Sequence, residues 1–137
     1  MEEAYLNNLI KVGQHATSIH KITQEKINDY AKLTGDYNPI HFDDEYAAGT
    51  IFKRKIAHGP YVITFITTMF ANQLPGPGTV YLSHNIKYLF PVYIGDVITA
   101  SVEISEILPN KHIMAKTICV NQDGITVIDG IARLKMF

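Results

Sequence analysis

A carboxylate and an imidazole stand five residues apart in Asp36-Tyr37-Asn38-Pro39-Ile40-His41, with an Asn-Pro pair between them. Asp, Asn and Pro are favoured turn formers, so the same residues also read as plain turn chemistry. The functional reading rests on stiffness: Pro39 restricts its own φ and biases Asn38 away from the helical region, which makes the bend rigid. A rigid bend can aim Asp36 and His41 at one water. Such a pair can take a proton from that water and return one to a substrate, work typically worth about 10² to 10⁴ in rate. Asn38 can hydrogen-bond one member of the pair, or its amide can stabilise the turn itself.

A second group is Ala57-His58-Gly59-Pro60 at the start of an apolar segment. Proline suits the first turn of a helix, where its missing N–H would have no intrahelical partner. Backbone N–H groups there point outward with the positive end of the helix dipole behind them, and glycine permits close approach of a substrate oxygen. Gly59 is therefore a candidate oxyanion donor, a role in which one lost donor costs on the order of 3 kcal/mol. The alternative is an ordinary glycine start with His58 as a satisfied neighbour. Thr64, Thr67 and Thr68 form a polar stripe along this helix, explained by bonds back to the preceding turn. Thr67 is also placed to face the far end of a substrate. Asn38, His58 and Thr67 are the candidate substrate contacts.

The elements that must hold these groups follow from periodicity. A strand is expected within residues 12–22, then a helix capped by Thr23 that reaches about residue 33, turns Ile27, Tyr30, Ala31 and Thr34 to one side and stops at Gly35. The segment after Gly59 is rich in β-branched residues, which favour a strand, but its length, its opening and its lack of alternation predict a buried helix, apolar nearly all round, ending at Asn72-Gln73. Pro75-Gly76-Pro77-Gly78 then reads as a rigid exit loop. Beyond it, Val80, Leu82, His84, Ile86, Tyr88 and Phe90 alternate with polar residues, predicting a long half-buried strand. Residues 97–108 repeat the pattern with Ile98, Ala100, Val102 and Ile104 inward, Pro109-Asn110 turns the chain, and strands over 112–120 and 125–135 flank an Asp-Gly turn. A long helix followed by an antiparallel run of four strands implies an α+β fold, one sheet wrapped on a central helix.

Composition bounds the rest. With 137 residues, 47% hydrophobic and 18% charged, the chain is one domain able to bury a core and is not intrinsically disordered. A formal net charge of −1 offers no global reason to expect a nucleic-acid or membrane-surface partner. One cysteine, Cys119, excludes an internal disulfide, reads as buried filler and fits a reducing compartment, by default the cytoplasm. The acidic start does not resemble a secretory signal, and the apolar stretch over 61–71 is too short to span a bilayer. No trio of His, Asp or Glu has spacing that argues for a metal. His84, on the inward register of its strand, reads as a hydrogen-bonded core or interface residue, while His15, His20 and His112 read as exposed. Lys53-Arg54-Lys55 is the only basic run, either solvated or set against phosphates.

Taken in order, Gly35-Asp36-Tyr37-Asn38-Pro39-Ile40-His41, Asp43, Tyr46-Ala47, Ile56-Ala57-His58-Gly59, the run from Leu74-Pro75-Gly76-Pro77-Gly78 to Ser83, and Phe90-Pro91-Val92-Tyr93-Ile94-Gly95-Asp96 resemble the MaoC-like, (R)-specific enoyl-CoA hydratase family of hot-dog-fold proteins over roughly residues 17–107. The resemblance implies a single hot-dog domain over 1–137, a homodimer, and reversible syn hydration of a trans-2-enoyl-CoA to the (R)-3-hydroxyacyl-CoA. It implies Asp36 and His41 as the catalytic pair, the Gly59 N–H on the thioester oxygen, and no cofactor beyond the coenzyme A of the substrate. One departure is Pro60, where the family commonly has Met: a second N–H donor at that position is absent. Related readings are a dehydratase acting on acyl carrier protein thioesters, a hot-dog thioesterase, against which the Asp-x-Asn-Pro-x-His order argues, and a non-catalytic acyl-CoA-binding module.

Overall fold

The computed structural model describes residues 9–137; the acidic start lies outside them. The chain runs β1 (His15–Lys21), α1 (Gln24–Thr34), a 3-10 turn (Pro39–His41), α2 (Asp44–Ala48), α3 (Gly59–Asn72), β2 (Thr79–Tyr88), β3 (Val97–Ile107), β4 (His112–Val120) and β5 (Thr126–Met136). No helix among the described residues is long and apolar enough to cross a membrane.

Local chemistry sets the helix ends. The Thr23 hydroxyl accepts from the Lys26 N–H at 3.2 Å, satisfying one of the orphan donors of α1. At the other end Gly35 adopts φ +81° and donates to the Ala31 carbonyl at 2.7 Å; only glycine takes this left-handed position without penalty. Asp36 is thereby thrown off the helix axis. Of the expected α1 face, Ile27 and Ala31 are buried, Tyr30 is half-buried and Thr34 is exposed.

In α3, burial of Val62, Ile63, Phe65, Ile66, Met69 and Phe70 overrides the β preference of its branched residues, at roughly 1.5–3 kcal/mol for each large apolar side chain removed from water. The helix is not buried all round, however. Pro60, Thr64, Thr68 and Ala71 form an exposed stripe, because the single sheet covers α3 from one side only.

The sheet is antiparallel with order β1-β3-β4-β5-β2. The expected inward set of β3, Ile98, Ala100, Val102 and Ile104, is fully buried. The four later strands do not pair in chain order: β2 lies at the far edge against β5, since residues 89–96 cross the end of the domain, tied by the Ala57 N–H to the Val92 carbonyl at 2.7 Å. Nor is β2 a half-buried strand of strict alternation. A bulge between Tyr81 and Ser83 shifts its register, Val80, Leu82 and Tyr88 are exposed, and of the expected inward residues of β2 only His84 and Ile86 are half-buried. His84 is held by the Tyr81 hydroxyl at Nδ1 and the Thr117 hydroxyl at Nε2, as a satisfied core histidine should be. His20 is half-buried, stacked on Phe65 at 3.9 Å, and not exposed as its sequence context suggested. Cys119 is fully buried, and burial pushes its thiol up to about 12.

Candidate active site

The bend after α1 builds itself. The Asp36 carboxylate accepts from the Asn38 N–H at 3.3 Å, and the Asn38 side chain accepts from the Ile40 N–H at 3.3 Å, opening the Pro39–His41 turn. Asn38 thus takes the turn-stabilising option of the two that its sequence left open. Two residues beyond the turn, Asp43 caps α2 by accepting from the Tyr46 N–H at 3.0 Å.

This turn carries the His41 ring inward, to 7% exposure, while Asp36 stays exposed beside it. His41 Nδ1 lies 2.7 Å from the Ile56 carbonyl, which can only accept, so the ring donates there and its lone pair is on Nε2. Gln24 clamps the same residue from α1, donating through Nε2 to the His41 carbonyl at 3.2 Å. Burial holds the His41 imidazole below its ordinary range. The Ile56 carbonyl opposes that shift, neighbouring His58 adds to it and the Asp36 charge opposes it.

His58 immediately precedes α3 but caps nothing with its side chain. It stacks on His41 with ring centres 3.7 Å apart and donates through Nε2 to the Asp36 carbonyl at 3.0 Å. Next to it, Gly59 begins α3, so by helix geometry its N–H has no intrahelical acceptor. The Tyr88 ring lies on Gly59, and a Cβ there would meet Tyr88 Cε1 at 2.7 Å. Gly59, Ile56, Pro60, Phe52, Tyr88 and Phe90 help to line an apolar cavity of about 520 Å³. Thr67, further along α3 and half-buried, donates to the Thr64 carbonyl at 3.3 Å.

Asp36, His41 and His58 each bring a potential ligand atom within 4.8 Å of the others, a meeting that sequence spacing did not reveal. His41 Nδ1 and His58 Nε2 are already spent on backbone carbonyls. The two rings are stacked at an interplanar angle of 28°, so their in-plane lone pairs run side by side and do not converge on one cation. This donor set suits a proton and a water better than a metal. In the basic run, the Arg54 guanidinium sits 3.9 Å from the centre of the Tyr93 ring and Lys55 pairs with Asp44 at 3.5 Å.

Sequence reasoning named Asp36, His41, His58 and Gly59, and the structure gathers all four. It missed Gln24, the Ile56 carbonyl and Tyr88 on Gly59. A carbonyl acceptor has no residue-type signature, and contacts between distant segments leave none in local spacing.

One antiparallel sheet packed on a central helix defines a hot-dog-fold protein, here with a histidine and a carboxylate beside the N-terminus of that helix. The chain belongs to the MaoC-like domain family, whose model matches residues 7–127. It is 37% identical to an (R)-specific enoyl-CoA hydratase of Rhodospirillum rubrum, over 91% of this chain and 87% of that one. It is 33% identical to the Aeromonas caviae protein of the same description, over 93% and 96%. Among solved structures, the unliganded R-hydratase of Pseudomonas aeruginosa superposes with a TM-score of 0.87 at 38% identity, covering 93% of this chain and 82% of that one. The (R)-hydratase of Aeromonas caviae gives 0.89 at 31%, covering 93% and 98%.

Proposed function

We propose that this chain is an (R)-specific enoyl-CoA hydratase, a hydro-lyase that adds water reversibly across a trans-2-enoyl-CoA to give the (R)-3-hydroxyacyl-CoA. The observation that carries this reading is the buried His41, its Nδ1 fixed on the Ile56 carbonyl and its Nε2 lone pair free, beside the Asp36 carboxylate and the start of α3.

Asp36 and His41 Nε2 each accept one hydrogen of a single water, which leaves an oxygen lone pair for C3. As the C–O bond forms, His41 takes the proton. Its second N–H is already donated to Ile56, and the Asp36 charge stabilises the imidazolium. Negative charge passes to the thioester oxygen, where the Gly59 N–H and the dipole of α3 receive it. His41 then delivers the proton to C2 from the face that water attacked, so addition is syn and atoms balance. Each step uses only this chain's own groups and one water, and coenzyme A arrives as part of the substrate.

Of the proposed substrate contacts, Asn38 serves the bend, and Thr67 borders the acyl end. The exposed apolar side chains of the edge strand and its exit, Val80, Leu82, Leu89 and Phe90, support a homodimer in which a second copy covers them. The lone buried Cys119 fits a reducing cytoplasm.

Incubation with crotonyl-CoA and longer enoyl-CoAs should remove the enoyl thioester absorbance and yield the (R)-alcohol on chiral analysis. An (S)-product, or an inert protein at every chain length, refutes the reading. The carrier is resolved by running acyl carrier protein thioesters in parallel, because the tomato mitochondrial 3-hydroxyacyl-[acyl-carrier-protein] dehydratase FERN is also 36% identical over 92% of this chain. Only neutral His41 can accept the proton, and burial lowers its pKa from 6.5. Turnover should hold across neutral pH and fall only as pH drops through a midpoint below 6.5. A midpoint above that value would show that the Asp36 charge and the Ile56 bond outweigh burial at His41.

A further inference from the structure

Resting on the hydratase reading, we infer that His58 is a positioning residue: its Nε2–H, donated to the Asp36 carbonyl, locks the exposed Asp36 bend to the residue that precedes the Gly59 donor. The His58 ring is closed off from solvent. It is 2% exposed, with His41 stacked on it at 3.7 Å, Tyr30 tilted against it at 4.7 Å and Phe42 edge-on at 6.0 Å. Its one free polar atom, Nδ1, is buried without a partner. On this reading His58 orders the site and is not itself a substrate contact.

A buried acceptor left unpaired weighs against folding, so its presence asks what the ring achieves elsewhere. What it achieves is the tie spanning 22 residues at 3.0 Å to Asp36. Without it, Asp36 hangs on an exposed bend held by two long bonds, its own N–H to the Thr34 hydroxyl at 3.3 Å and the Asn38 N–H to its carboxylate at 3.3 Å. His58 is also adjacent in sequence to Gly59 and in face contact with His41. A single side chain therefore sets the spacing among carboxylate, imidazole and oxyanion donor. In a reaction that needs the pair on one water and the donor on the thioester oxygen at once, displacement by about an ångström costs on the order of a hundredfold.

Three variants separate the tie from mere packing. Phe keeps the ring stack and loses the donor. Asn places an amide near Nδ1 and leaves the Nε2 position empty. Gln places an N–H near Nε2. In His58→Phe and His58→Asn, kcat should fall about tenfold to a hundredfold with KM changed less than about threefold. His58→Gln should recover to within about threefold of the parent. Equal losses in the Gln and Phe variants, a loss confined to KM, or a folded Phe variant with parental kcat each overturn the inference. Nitrogen-15 spectra of the unmutated protein test it without relying on any variant to fold. Protonated Nε2 and bare Nδ1 on His58 are expected, and the opposite tautomer refutes the tie. An unmutated protein inert on every enoyl thioester would sink the hydratase reading instead, and those spectra would still decide the hydrogen bond.

Discussion

Asp36→Asn and His41→Ala should each lower turnover by at least about a hundredfold while the protein stays folded. Asp36→Asn is the cleaner of the two. Asp36 is exposed, and the amide oxygen can still accept from the Asn38 N–H, so the bend survives and only the charge is lost. His41→Ala removes a buried ring and strips the Ile56 carbonyl of its 2.7 Å donor. A buried acceptor left unpaired costs about 1–3 kcal/mol, so its turnover is to be read well below its melting temperature. Because both groups hold one water, their effects should not add: the double variant should be within a few-fold of the worse single one. Near-normal turnover in either folded variant would remove that residue from the mechanism.

Gly130→Ala should be among the most destabilising single-methyl changes in the sheet. A Cβ at Gly130 would stand 2.8 Å from the Asn85 carbonyl, 2.9 Å from His84 Nε2 and 3.0 Å from the Thr117 hydroxyl. The first neighbour is ladder backbone between β2 and β5, and the other two are the partners of a 2.6 Å hydrogen bond. None is the free end of a flexible chain. Glycine stands here because the His84 ring occupies the space that a side chain would need. Overpacking of this kind costs about 1–3 kcal/mol, and for a domain of this size each kcal/mol lowers Tm by roughly 3–5 °C. Gly49→Ala is the matched control: its Cβ meets nothing closer than 3.5 Å, its φ is −81°, and Tm should scarcely move. Equal melting temperatures for the two variants would show that the His84–Thr117 contact does not constrain the sheet.

Local patterns carried far in this chain where one segment alone fixed the outcome. Thr23 and Gly35 bound α1, strict alternation set the buried face of β3, and the Asp-Gly turn joined β4 to β5, each depending on the φ/ψ preferences or side-chain period of a few neighbours. The edge strand was misread because its alternation mimics a half-buried strand. Burial of β2 depends on how many strands flank it and on a bulge that residue types do not announce. For the same reason the threonine stripe of α3 did not reveal that the face from Pro60 to Ala71 is exposed, since apolar composition does not say how many faces are covered.

By itself the sequence determined the family, the helix that offers Gly59, and the stiff bend that holds Asp36 and His41, because each is written in contiguous residues whose chemistry acts locally. Tertiary structure alone decided that His41 donates to Ile56 and presents Nε2, that His58 donates to the Asp36 carbonyl, and that β2 lies at an edge of the sheet. Those outcomes belong to atoms from separate segments, many of them backbone carbonyls common to every residue. Only the packed chain brings them within hydrogen-bonding distance.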